Sequence, residues 1–390
     1  MRPNRWLIGI FNTLCLATLA ACGGGGGGGS TGADPVPTPA GFAYVANTAD
    51  DTVSAFTVNS VGLISEIDHQ QVPGKKALGV GNQPLSVVIE PTRKFAYVAN
   101  RADNTVSAFA IDNVTGKLSA IGPAVPAGFY PSFLVVHPSG NFLYVVNFEG
   151  ETDVNEPGSV MAYGIGPTGL LSTIGTPVET GLGPVSMSIN GNGNLAYVIN
   201  QGSKNVSAYT INPTTGEIAA IPGGLVASGN SPSSVVVDPS PAGKFVYVTN
   251  QLDDSISGYS VGISGLLSEI DLNGAGSSGT TMSAGDGPVA ITFDLAGNFV
   301  FVANQASDNI SAYRVESSGA LTPVAGSPFP AGDLPYFIDV DPTGKFLYAA
   351  NQLSNNVSIF SIDTNLGALT ALGTVTVGLG PSSIATTLLP

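Results

Sequence analysis

Beyond residue 40 the apolar positions come in short runs, separated by Gly, Pro, Asn and Asp. No stretch carries the 3.6-residue spacing of an amphipathic helix, whereas several show the alternation of a half-buried strand. One run recurs: Phe42-Ala-Tyr-Val-Ala-Asn47, Phe95-Ala-Tyr-Val-Ala-Asn100, Phe142-Leu-Tyr-Val-Val-Asn147, Leu195-Ala-Tyr-Val-Ile-Asn200, Phe245-Val-Tyr-Val-Thr-Asn250, Phe299-Val-Phe-Val-Ala-Asn304 and Phe346-Leu-Tyr-Ala-Ala-Asn351. The closing asparagines are 53, 47, 53, 50, 54 and 47 residues apart. Self-similarity at this period marks a repeat architecture.

A single unit reads as four strands. Pro232-Ser-Ser-Val-Val-Val-Asp238 is short and rich in β-branched residues, and Pro239-Ser-Pro-Ala-Gly243 ends it as a turn. Phe245 to Thr249 follows as a second strand, Asn250 to Asp254 as a loop, and Ile256 to Val261 as an alternating third strand. After a Gly-containing turn, Leu266 to Ile270 completes the unit. The pattern predicts an all-β, seven-bladed β-propeller of four-stranded antiparallel blades. The ends fit this reading. The first copy enters at a second strand, and Gly378-Leu-Gly-Pro-Ser-Ser-Ile-Ala-Thr386 is a leading strand with no successor. Strands from both termini are therefore expected to close the first blade and remove the open edges.

Residues 1–40 do not share the pattern. Arg2 and Arg5 precede a mostly apolar Leu7 to Ala20, too short to span a bilayer comfortably, so residues 1–21 read as an export signal. Leu19-Ala-Ala-Cys22 resembles the bacterial lipobox, which would put a lipid on Cys22 and anchor the chain in the membrane; Gly23 after it favours the outer membrane. Residues 22–40, glycine-rich and then proline-rich, form a tether that would span about 24 Å root-mean-square as a flexible coil. Residues 41–390 are the propeller. Cys15 leaves with the signal, so no disulfide can form within the mature chain. The formal net charge of −15, without a Lys/Arg cluster, excludes nucleic acid as a partner. The expected partners are the membrane, through Cys22, and an envelope protein or carbohydrate; the expected state is a monomer.

Tyr247-Val-Thr-Asn250 matches the YVTN repeat of surface-layer-type propellers. The wider unit, Gly-x-x-Pro, an apolar strand, then Asp-Pro-x-Gly-Lys-Phe-x-Tyr-Val-x-Asn, resembles the seven-bladed lactonase family, which includes 6-phosphogluconolactonase-like enzymes. The likeness spans 41–390. It implies the propeller fold and, as a functional expectation, lactone hydrolysis with His, Glu and Arg near one mouth of the channel as acid/base and oxyanion-stabilising groups.

In such blades the loop entering the first strand and the loop after the second share one face. The repeated Gly-x-x-Pro loops and asparagines read as turn formers, so function is expected where the copies differ. The variable side chains there are Asn82, Gln83, Phe129, Tyr130, Asn230, Asp286, Asp333 and, just inside, Tyr336. They would form either a polar, partly aromatic pocket for a carbohydrate or small metabolite, or a solvated rim. His137 reads as a turn residue on the opposite face and His69 as solvated. Arg93 falls in a far-side turn and Arg314 in an outer strand, which leaves Arg101 as the one arginine able to reach the mouth. Glu149 is the matching carboxylate; the two would be either an acid/base pair across neighbouring blades or a surface ion pair. The insertion 148–158 carries Glu149, Glu151, Asp153 and Glu156, whose alternate spacing suits either a Ca²⁺ loop or a hydrated acidic loop. No other cofactor is expected. On the scarcity of His and Arg, the expected function is binding or scaffolding by a membrane-tethered envelope propeller. The alternative, carried by the resemblance, is lactonase-like hydrolysis of a sugar-acid lactone.

Overall fold

The structure is a computed structural model that describes residues 39–69, 77–148, 156–273 and 280–389. Glu149, Glu151 and Asp153 lie outside the described residues; Glu156 is exposed just before the strand Pro157–Ile165.

The fold is the expected ring of seven antiparallel sheets, six of them built in chain order from the channel outward. The fifth blade runs Pro232–Val237, Phe245–Asn250, Ser255–Val261 and Leu267–Glu269. Its outer strand is in two pieces, since Thr281–Ser283 also pairs with Ser255–Val261. Two termini close the first blade: Gly41–Asn47 pairs antiparallel with Pro381–Leu388, with Gly41 opposite Leu388 and Ala46 opposite Ser383.

The second strands are apolar throughout because both of their faces are covered by neighbouring blades. Phe42, Tyr44 and Ala46 pack against Ala96, Val98 and Phe109 of the second blade, whereas Ala43 and Val45 pack against Tyr348, Ala350 and Val357 of the seventh. Each of the seven inter-blade seams holds one such cluster. A fully buried aromatic or aliphatic side chain of this kind contributes about 1.5–3 kcal/mol.

The repeated polar residues lock the seams. Asn250 is fully buried; its Nδ2 donates to Ser255 Oγ (3.1 Å) and Ser257 Oγ (2.9 Å), and its Oδ1 accepts the Gly229 N–H (2.9 Å). A Cβ on Gly229 would sit 2.6 Å from Asn250 Cγ, so the entry loop needs glycine for close approach. The tyrosine hydroxyls reach the next blade: Tyr197 donates to Gly265 C=O at 2.9 Å, and Tyr348 to Gly62 C=O at 2.7 Å across the closure. His137 is buried in its turn, with Nδ1 2.8 Å from Ser139 Oγ and Nε2 2.8 Å from Gly193 O. His69 departs from expectation. It is buried and its Nε2 accepts the Leu118 N–H at 3.0 Å, joining the first blade to the second.

Candidate functional site

Two local features aim side chains into the channel. First, the residue before each entry-loop proline has a left-handed backbone: φ is 51° at Gln83, 52° at Tyr130 and 54° at Leu334. Its carbonyl accepts the N–H of the residue that follows the repeated asparagine, as in Arg101 to Gln83 (3.0 Å), Phe148 to Tyr130 (3.1 Å) and Gln251 to Ser231 (3.0 Å). A ring of post-asparagine residues is thereby fixed at the mouth: Thr48, Arg101, Phe148, Gln201, Gln251, Gln305 and Gln352. Second, the register of each first strand slips just after its proline, as between Pro84 and Ser86. A bulge there turns two successive side chains toward the axis instead of one. The pairs include Leu85 and Ser86, Ser233 and Ser234, and Tyr336 and Phe337.

The result is a chamber of about 400 Å³, within the range of small-molecule sites. Its upper wall carries Thr48, Gln83, Arg101, Phe148, Gln201, Gln251 and Tyr336, and serines line it below. Several serines also bridge blades: Ser132 Oγ donates to Pro184 C=O (3.1 Å), and Ser186 Oγ accepts the Val235 N–H (3.4 Å). Phe133 and Phe337 lean together across the floor, ring centroids 6.3 Å apart. Beneath them a second chamber of about 410 Å³ continues to the opposite face. The channel is thus pinched by an aromatic pair into two chambers, the upper carrying Arg101 and the glutamines and the lower lined largely by aliphatic side chains.

Arg101 is the cation of the upper chamber among the described residues. Its guanidinium lies 5.2 Å from the centre of the Tyr130 ring, a cation–π contact that orients it. Burial raises the Tyr336 hydroxyl above its ordinary pKa, partly offset by the positive charge of Arg101, so the phenol stays a neutral donor. The other two described arginines are occupied elsewhere: Arg93 donates to Leu389 C=O at 3.0 Å, and Arg314 stacks on Phe299 at 4.7 Å.

Of the residues expected at the mouth, the structure brings Arg101, Gln83 and Tyr336 together on the chamber wall and sets Tyr130 beneath Arg101. Asn82, Asn230, Asp286 and Asp333 stand exposed on the rim, as does Phe129. Each of these four rim residues starts a clip. The Asn230 N–H donates to Asp253 Oδ2 (2.6 Å) and its Nδ2 to Asp253 Oδ1 (2.7 Å), which hold that carboxyl below the usual range. Asn82 binds Asp103 in the same way, and the Asp286 and Asp333 N–H groups donate to Ser307 and Ser354. Sequence reasoning missed the glutamines Gln201 and Gln251, although four consecutive copies carry Gln after the asparagine. No group of three metal-ligating side chains occurs among the described residues.

The family model for the lactonase, 7-bladed β-propeller, matches residues 36–154, 115–218, 217–331 and 328–385. The chain belongs to the seven-bladed lactonase family. A 6-phosphogluconolactonase of Formosa agariphila is 28% identical over 257 residues, covering 60% of this chain and 67% of that protein. A 6-phosphogluconolactonase of Erwinia tasmaniensis is 25% identical over 329 residues, covering 72% and 93%. Among solved structures, the periplasmic gluconolactonase of Pseudomonas aeruginosa superposes with a TM-score of 0.73 at 18% identity, covering 90% of this chain and 99% of that one. Hydrazine synthase of Kuenenia stuttgartiensis also superposes, with a TM-score of 0.57 at 18% identity over 87% and 99%. At such identities the structural likeness is one of fold. Membership in the lactonase family overturns the expectation of a scaffolding module. The blades are uniform in their seams, while the ring after the asparagines carries Thr48, Arg101 and Phe148 in the first three blades and glutamine in the other four.

Proposed function

We propose that the protein is a lactonase-type hydrolase that opens a sugar-acid lactone, of the 6-phosphogluconolactone kind, in the polar chamber. The observation that carries the reading is Arg101, a cation oriented by Tyr130 within a wall of carboxamides and hydroxyls, on a chain of the lactonase family. Water adds to the lactone carbonyl carbon, and the Arg101 guanidinium stabilises the oxyanion that forms, as a fixed charge in a partly desolvated site does best. Glu149 takes the proton of the attacking water. The bond from the acyl carbon to the ring oxygen then breaks, and a proton returns to that oxygen to leave the open hydroxy acid. Gln83, Gln201 and Gln251 supply donors and acceptors for sugar hydroxyls.

The test is hydrolysis of 6-phosphogluconolactone and gluconolactone above their spontaneous rates. Arg101→Ala is expected to lower kcat/KM by about 10²–10³, the cost of losing one oxyanion donor, and Glu149→Gln to lower it with little change in KM. Wild-type rates no faster than the spontaneous ones for both lactones would refute the reading. Residues 1–21 as an export signal and Cys22 as a lipid anchor put this reaction in the bacterial envelope, at the outer membrane. Cys22→Ser should move the protein from the membrane fraction to the soluble fraction, and retention in the membrane fraction would count against lipidation.

A further inference from the structure

The lower chamber plays no part in the proposed reaction. It lies beyond the Phe133–Phe337 pinch, has a volume of about 410 Å³ and opens past Pro91 and Pro138 at the face opposite Arg101. The fourth residue after each entry-loop proline faces it. In four blades that residue is Val88, Val135, Val236 or Ala385, and Ser188 and Thr292 supply hydroxyls in two more. In the seventh blade it is Asp339, the one ionisable side chain on the wall of this chamber among the described residues. Its Oδ2 accepts both the N–H (3.0 Å) and the hydroxyl (2.7 Å) of Thr386 on the neighbouring C-terminal strand, so the carboxylate is held in one orientation. Desolvation pushes the acid up to about 7, despite the Thr386 hydrogen bonds, and Asp341 adds repulsion.

A single carboxylate whose neighbours are mostly aliphatic side chains is costly unless an opposite charge meets it. A metal ion would want several oxygen ligands, and no triad of candidate ligands is assembled among the described residues. An anion would be repelled. A cation with an apolar body satisfies both features at once, its charge on Asp339 and its carbon on the valine walls. We propose that the lower chamber binds a small organic cation with an apolar body, of the alkylammonium or benzylammonium class, with Asp339 as its counter-ion. This site is independent of the lactone reading, because the aromatic pinch separates it from Arg101.

Calorimetric titration of the intact chain with benzylammonium, at a pH above 7 where Asp339 is ionised, tests this. Saturable binding is expected, weakened at least about tenfold in Asp339→Asn, whose side chain is nearly the same size and keeps an acceptor for Thr386. Benzyl alcohol, of the same shape but neutral, should bind at least about tenfold more weakly than benzylammonium to the wild type. Val236→Phe, which narrows the chamber from the fifth blade, two blades away from Asp339, should also abolish binding. Equal binding by Asp339→Asn would assign the cation to the aromatic mouth and overturn the proposal. So would equal affinity for the alcohol, or no saturable binding to the wild type.

Discussion

Six tyrosines, Tyr44, Tyr97, Tyr144, Tyr197, Tyr247 and Tyr348, donate to a turn-glycine carbonyl of the next blade at 2.7–2.9 Å. The seventh position is Phe301, which has no hydroxyl; Gly367 is the turn glycine at the corresponding position of the next blade. Phe301 is fully buried, and the six other seams accommodate the extra oxygen. Phe301→Tyr is therefore expected to add about 1 kcal/mol of stability, a typical net hydrogen bond, read as a higher denaturation midpoint. Tyr197→Phe should cost about 1–2 kcal/mol, because the buried Gly265 carbonyl loses its partner. A lower midpoint for Phe301→Tyr would mean that this seam is too tight for the oxygen. Asp339 acts in the other direction. Its folded pKa of about 7 lies above the unfolded value of about 3.9, so the native state holds a proton that the unfolded chain releases. Stability attributable to this group is then intact below about pH 4 and falls as the pH rises toward 7. Water at the open end of the chamber reduces the cost to on the order of 2 kcal/mol. Asp339→Asn should unfold with the wild-type midpoint at pH 4 and above it at pH 8; equal midpoints at both would show that the acid is not destabilised by its surroundings.

At the scale of the strand and loop, the fold was legible in the apolar pattern because both faces of the second strands are buried. Phe245-Val-Tyr-Val-Thr announces such a strand at each copy, whichever seam it enters. The missing leading strand before Gly41 showed where the chain must close. The site was legible only in part. Arg101 and Tyr336 could be placed by their offset from Asn100 and Pro335. The wall residues could not be separated from the rim residues, since that depends on a left-handed residue before the proline and a bulge after it. Neither leaves a mark in the alternation of apolar and polar residues. Asn230 and Asn82 look like ligand contacts in the sequence, yet their side chains clip Asp253 and Asp103. The glutamine arc was overlooked for the converse reason: Gln251 reads as an ordinary loop residue until the loop is seen to end at the axis. His69 looked solvated because its burial comes from the second blade, which is distant in sequence. The outer strands were the least regular elements, broken in some blades and continuous in others, as in Ile218–Ala227. They carry exposed side chains, so little apolar patterning constrains them.

At the scale of the whole ring, seven seams depend on one closure that the backbone does not make covalently. Gly41–Asn47 has a partner on its channel side only through Pro381–Leu388, and that strand also brings Ser382 Oγ to Pro84 C=O (3.1 Å) and Leu389 C=O to Arg93 (3.0 Å). Removing residues 381–390 would strip the first blade of its innermost strand and expose an apolar edge fully buried in the intact chain. The truncated protein is expected to lose its cooperative unfolding transition and to associate through that edge. Both effects would be visible by calorimetry and light scattering. A circular permutant separates the strand from the position of the chain ends. Because Gly41 lies opposite Leu388, a short turn can join residue 389 to residue 40 and make the first blade continuous like the other six. The new ends would open at the exposed Gly122-Pro-Ala124 link between the two pieces of the second blade's outer strand. Every strand pair and the whole polar chamber are kept, so the permutant should unfold cooperatively and hydrolyse lactone at the wild-type rate. A permutant that folds while the truncation fails assigns ring integrity to the pairing of the last strand; failure of both would tie it to the natural order of the chain.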